Sequence, residues 1–310
     1  MLIKPLTEST VLIILRSLNT RMKLPFSEKQ NYTSLEKGYE GEKKYEAILV
    51  ESKISDLILS DILLEKNNTF FQIDFLLISQ KTIYLFDVKN FEGDYYIEKE
   101  AWYNAVGTEI KNPLDQLKRC ESLFRRLMHD LGYASTFSIE AYLIFIHPEF
   151  TLYQTPRNLP AIFPTQLNRF IAKLKTKSES SKLNRTHQKL AEQLVSLHIS
   201  KPPISHIPEY KYDQLQKGII CGSCSSFINE ISENKVVCHV CGYREGVDSA
   251  VVRSVEEFVL LFPERKITTN DIFEWCKVIG SKKTIRRVLR QNYTYFKHAR
   301  CSYFVPQAEQ

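Results

Sequence analysis

Two apolar runs, Phe70 to Ile78 and Thr82 to Asn90, separated only by Ser79-Gln80-Lys81, constrain this chain most. Runs so rich in Phe, Ile, Leu and Tyr read as strands of a buried sheet, and the polar break between them reads as a tight hairpin. Each run carries a carboxylate, Asp74 or Asp87, where a buried strand ordinarily carries none. An ionised carboxylate there is costly unless it is paired or meets a cation. Val88 separates Asp87 from Lys89, so strand alternation puts those two on one face. Asp74, Asp87 and a backbone carbonyl offer oxygen ligands suited to Mg²⁺ or Mn²⁺. Such an ion stabilises charge on a phosphorane-like transition state and acidifies a bound water, which Lys89 can position or deprotonate. Glu42, on the preceding helix, is the natural third acidic ligand. That chemistry cuts phosphodiesters.

The chain of 310 residues is long enough for two or three domains. No run approaches the roughly 18 apolar residues of a membrane span. The short apolar stretch Val11 to Leu15 is bracketed by Glu8 and Arg16 and reads as a helix face, not a signal peptide. A cytoplasmic protein is expected, and the scatter of Cys120, Cys276 and Cys301 among apolar neighbours agrees with core thiols. A helix is expected from Leu35 to about Ala47. Asp94–Ile97 and Ala101–Asn104 read as a second hairpin, Leu114 to about Leu131 as an amphipathic helix, and Ala141–Ile146 as a buried strand. Lys173 to Arg185 reads as a solvated connector, Thr186 to Leu197 as a helix, and Lys201 to Pro208 as a stiff Pro-rich linker.

Gly38-Tyr39-Glu40-Gly41-Glu42, Gln72-Ile73-Asp74, Phe86-Asp87-Val88-Lys89-Asn90 and Asn112-Pro113-Leu114-Asp115-Gln116 together resemble the PD-(D/E)XK nuclease superfamily. The resemblance is closer to its nuclease-related domain family and covers roughly residues 35 to 150. It implies a restriction-endonuclease-like α/β fold, a central mixed sheet flanked by helices. It also implies a site of Glu42, Asp74, Asp87, Lys89 and Gln116, with Mg²⁺ or Mn²⁺ held by Glu42, Asp74 and Asp87. The acid before x-Lys is more often Glu in such domains; here it is Asp87, whose reach is shorter. By itself an Asp-x-Lys step is an ordinary surface pair, Gln116 is equally able to cap its helix, and fold does not establish activity. Trp102, Tyr95, Tyr96 and His147 read as structural.

Two Cys-x-x-Cys pairs, Cys221/Cys224 and Cys238/Cys241, have the spacing of a tetrahedral structural Zn²⁺ site, a small zinc ribbon with four cysteine ligands. A redox pair or an iron–sulfur cluster is the weaker reading, and His239 is surplus to a filled shell. Further on, Ser254 reads as the cap of one helix. Thr268 opens a second, ended by Gly280, and Ser281 opens a third from Lys282 to Arg290. Strands at Tyr293–Phe296 and Cys301–Val305 follow. Three helices and a basic hairpin resemble a winged helix–turn–helix, an α+β domain, with Lys282, Lys283, Arg286, Arg287, Arg290, Lys297 and Arg300 facing phosphates. A small interaction domain with a solvated basic face is the bland alternative.

The expected organisation is a nuclease-like domain over 1–200, a linker over 201–217, a zinc ribbon over 218–246 and a basic domain over 250–310. The expected function is Mg²⁺-dependent hydrolysis of nucleic acid, DNA in the first instance, with structural Zn²⁺ and no membrane partner. The rivals are a non-catalytic nucleic-acid-binding protein on a nuclease scaffold and a scaffold protein that binds other proteins. Strand preference, endo- or exonucleolytic action and oligomeric state are not written in the sequence.

Overall fold

The structure, a computed structural model, describes residues 1–179, 182–200, 207–298 and 301–307. It divides into two units, Met1–Ser9 with Thr33–Ile204, and Thr10–Tyr32 with Ser205–Gln310. The elements begin with β1 (Leu2–Lys4), α1 (Thr10–Arg21), α2 (Phe26–Glu51), β2 (Leu57–Lys66), β3 (Thr69–Ile78) and β4 (Thr82–Lys89). There follow β5 (Gly93–Glu98), β6 (Ala101–Asn104), β7 (Glu109–Ile110), α3 (Pro113–Asp130), β8 (Ser138–Phe145), β9 (Phe150–Tyr153), β10 (Ala161–Ile162), α4 (Pro164–Glu179) and α5 (Arg185–Ser196).

The first unit is built on a mixed sheet in the order β1-β2-β3-β4-β8-β10. The pairs β2–β3 and β3–β4 are antiparallel; β1–β2, β4–β8 and β8–β10 are parallel. Ile83 through Val88 are all buried because helices cover both faces of β4. Tyr84, Phe86 and Val88 pack with Tyr45 and Leu49 of α2 and with Ile171 and Leu174 of α4. Ile83 and Leu85 pack with Phe124 and Leu127 of α3 and with Leu190 and Leu194 of α5. Each such side chain contributes roughly 1.5–3 kcal/mol by leaving water. This is the helix-flanked mixed sheet expected. A second sheet, β7-β6-β5-β9, contains the expected β5–β6 hairpin and buries Trp102 near Phe145 and Phe150.

The second unit continues with β11 (Ile219–Ile220), β12 (Phe227–Ile228), β13 (Glu230–Ser232), β14 (Lys235–Val237), β15 (Arg244–Gly246) and α6 (Val247–Leu261). It ends with α7 (Thr269–Cys276), α8 (Lys282–Asn292), β16 (Tyr293–His298) and β17 (Cys301–Pro306). Its core surrounds Arg21, whose guanidinium is bidentate to Glu257 at 2.6 and 2.9 Å. The same group donates to the carbonyls of Gln216 and Gly218 and lies 3.8 Å from the centre of the Trp275 ring.

Several expectations shift. Thr10–Tyr32 belongs to the second unit, where Ile14 and Leu18 join Val251, Val255 and Phe258 in one core. The Lys/Ser/Thr-rich stretch after Lys173 continues α4 to Glu179, since Leu174 and Ser178 extend the buried stripe of Leu167 and Ile171. Gly38–Glu42 lies inside α2, not ahead of it. Ser254 is interior to α6, its hydroxyl donating to the Ala250 carbonyl at 2.7 Å, and Glu257 is engaged by Arg21 instead of a capping box. α7 stops at Cys276, before Gly280, with Lys277 turned to φ +53°. Of the expected linker, Lys201–His206 lies outside the described residues, whereas Tyr212 and Leu215 are buried in the second unit.

Candidate functional site

The β2–β3 ladder is interrupted at one place. Ser60 pairs with Phe75 and Ile62 with Ile73, and between them Asp61 and Asp74 face each other outside the ladder. Asp61 has φ +51°, a left-handed conformation that Asp tolerates better than most residues. Pairing between β3 and β4 also ends at Phe75–Phe86. From there the Val88 amide donates to Asp74 Oδ2 at 2.8 Å, a side chain standing where a strand carbonyl would be. β4 itself remains paired with β8 as far as Lys89–Phe145. The sheet therefore opens at Asp74, and Asp87 and Lys89 stand at the opening on the face that carries Leu85 and α3.

Lys89 Nζ forms an ion pair with Asp87 Oδ1 at 2.5 Å. The same ammonium donates to Gln116 Oε1 at 3.3 Å. Gln116 reaches the site because Asn112 caps α3, accepting from the Leu114 amide at 3.0 Å, and Pro113 takes the first helical position. Glu42 comes from α2, across the sheet end. Its approach depends on Gly41, where an added Cβ would fall 2.7 Å from Asn90 Cβ and 3.2 Å from Ile146 Cγ2. Asn90 closes the contact by donating to the Lys37 carbonyl at 2.8 Å.

The electrostatics are those of crowded acids. Burial, and then the Asp74 carboxylate, push Glu42 up to about 8. Burial, and then Asp87, push Asp74 up to about 7. Burial also raises Asp87, against the pull of Lys89. Lys89 counters this crowd of acids in part, and a hard divalent cation would add further countercharge. Carboxylate oxygens are donors of the kind Mg²⁺ or Mn²⁺ takes, and Glu42, Asp74 and Asp87 are the residues that would hold such an ion. Two neighbours escape a reading of the sequence. Asp61, a second acid in an apolar run, accepts from Gln72 Nε2 at 2.8 Å and from Thr7 Oγ1 at 3.1 Å, and it raises Glu42 and Asp74. Cys120, expected to be a core thiol, donates to the Gln72 carbonyl at 3.3 Å; its thiol is pushed up to about 12 by burial, then by Asp74 and Asp87.

In the second unit, Cys221, Cys224, Cys238 and Cys241 place their four sulfurs within 4.8 Å of one another, and they could hold a metal ion such as zinc. Among the described residues, no other group of three or more such ligand atoms is gathered this tightly. Sγ separations of 3.7 Å (Cys221–Cys241) and 3.5 Å (Cys224–Cys238) approach the edge of about 3.8 Å of a tetrahedron with Zn–S bonds of about 2.3 Å. Hydrogen bonds from Ser226 lower the Cys224 thiol to about 6, toward the thiolate a metal needs.

α8 buries Ile285, Val288 and Leu289 and exposes Lys282, Lys283, Arg286, Arg287 and Arg290. Not all of that charge is uncommitted. Arg287 is bidentate to Asp248 at 2.5 and 2.6 Å, and Lys282 donates to Asn270 Oδ1 at 2.9 Å. Lys297 is exposed on β16; Arg300 lies outside the described residues. Among the described residues no helix is long and apolar enough to cross a membrane.

Residues 37–146 match the family model described as the nuclease-related domain, a span that includes Glu42, Asp74, Asp87, Lys89 and Gln116. No curated protein and no solved structure matches the chain.

Proposed function

We propose that the nuclease-related domain of this chain is a metal-dependent nuclease that hydrolyses phosphodiester bonds, with DNA as its first substrate. The observation that carries this reading is the convergence of Asp74, Asp87 and Lys89 where the sheet opens, Asp74 tied to the amide of Val88 between them. A bound Mg²⁺ or Mn²⁺ supplies Lewis acidity and an acidified water. The rest falls to the chain. Glu42, Asp74 and Asp87 would hold the cation, and Asp87 orients the Lys89 ammonium. Lys89, as an ammonium, faces the developing negative charge. Gln116 fixes the second side of that ammonium, so its direction is set before substrate arrives. The second unit supplies affinity: phosphate contacts from α8 and β16, in a winged-helix-like arrangement, with the Zn²⁺ ribbon as a staple for short strands.

The test is cleavage of labelled single- and double-stranded DNA and RNA with Mg²⁺, Mn²⁺ or no added divalent ion. Wild type is compared with Asp87→Ala and Lys89→Ala. Metal-dependent cutting that both variants lose is the expected result. No cutting of any polymer, with binding intact, would leave a nucleic-acid-binding protein on a nuclease scaffold.

A further inference from the structure

The β16–β17 hairpin carries aromatic rings that the core does not use. Phe304 and Tyr293 point inward and are buried, and Ile267 pairs with Phe304 across a short bridge. Alternation therefore turns Phe296 and Tyr303 to the opposite face. These two are direct cross-strand partners, their rings 5.6 Å apart and within 13° of parallel. Phe296 is 44% exposed. Lys266 Nζ sits 4.5 Å from the centre of the Tyr303 ring. On the side toward α8, exposed Tyr295 has the Arg290 guanidinium 5.4 Å from its ring centre. From Lys277 to Gln307 the chain contains no Asp or Glu.

A cross-strand aromatic pair stabilises a hairpin wherever it stands. Stabilisation alone accounts neither for the exposure of Phe296 nor for the cations over Tyr303 and Tyr295. An exposed Phe296 beside a half-buried Tyr303, on a stretch of chain without acids, matches a polyanion whose own flat groups are accessible. A duplex offers phosphates but keeps its base faces stacked inside; a single strand offers both. We propose that the outer face of β16–β17 is a stacking platform for unpaired nucleobases, with Phe296 and Tyr303 as the platform and Lys266 on an adjoining phosphate. The platform rests on the reading that this unit contacts nucleic acid, and it narrows the partner to single-stranded or locally opened polymer.

The experiment is fluorescence anisotropy of the full chain, without added divalent ion so that strands stay intact. Three probes are compared: an oligothymidylate, an abasic strand of the same length and charge, and a blunt duplex. Wild type should bind the thymidylate roughly five- to one-hundred-fold more tightly than the abasic strand, the range expected for about one stacked base. Phe296→Ala should erase that preference while keeping affinity for the abasic strand, and Phe296→Trp should keep the preference. Equal binding of thymidylate and abasic strand by wild type, or an unchanged preference in Phe296→Ala, overturns the platform and leaves phosphate contact standing. Failure to bind any of the three probes overturns the nucleic-acid reading of this unit as well.

Discussion

The Asp74 carboxylate takes the Val88 amide at 2.8 Å where the β3–β4 ladder has ended. One side chain thus closes the sheet and sets the position of Asp87 and Lys89 on either side of Val88. Asp74→Asn keeps an acceptor for that amide and removes the charge; Asp74→Ala removes both. Urea unfolding should find Asn near wild type and Ala less stable by about 1–3 kcal/mol, the cost of stranding a buried donor. Both should abolish metal-dependent cleavage. Equal stability of the two variants would assign the hydrogen bond no structural role.

Gly41 and Gly38 sit one turn apart in α2 and should respond oppositely to alanine. A Cβ at Gly41 meets Asn90 at 2.7 Å, whereas one at Gly38 meets nothing within 4 Å. Gly41→Ala is expected to cost about 1–3 kcal/mol by overpacking and to lower activity by displacing Glu42. Gly38→Ala is expected to add roughly 0.4–1 kcal/mol by stiffening the unfolded chain. Thermal melts of the two variants decide it.

Stability should depend on pH with the sign set by Glu42 and Asp74. Their folded values, about 8 and about 7, lie above their ordinary values of 4.5 and 3.8. The folded state then binds more protons than the unfolded one between those limits, so stability falls as pH rises from about 4 to about 8. Urea titrations at pH 5, 6, 7 and 8 should show this in protein dialysed free of Mg²⁺ without chelator, and Glu42→Gln should flatten the slope. Added Mg²⁺ should stabilise more at pH 8 than at pH 5, because binding releases those protons.

The strands around the cysteines are two or three residues long and cannot hold themselves together. One zinc per chain is expected by elemental analysis, retained by wild type and lost in Cys238→Ser. That loss should lower the thermal midpoint of the second unit. A full complement of zinc in Cys238→Ser would exclude the four-thiolate shell.

Much of this molecule is legible in the chain because local pattern and burial agree there. The β3–β4 hairpin, the capped entry of α3, the strand β8 and the paired cysteines each announce themselves within a few residues. α4 and α6 mislead at one end. Lys173, Lys175 and Thr176 on the solvent face of α4 look like a connector until Leu174 and Ser178 are buried, and a serine inside α6 looks like a cap until its hydroxyl turns back on Ala250.

The sequence by itself determined the ingredients: two carboxylates and a lysine in apolar strands, four thiols in two pairs, and a basic helix face. Period and spacing are local properties, and they suffice for that. Only the tertiary structure decided that Asp61 stands opposite Asp74, that Gly41 admits Glu42 to the far side of the same opening, and that Thr10–Tyr32 belongs with residues two hundred positions away. Those are relations between segments distant in sequence, and no local period or spacing carries them.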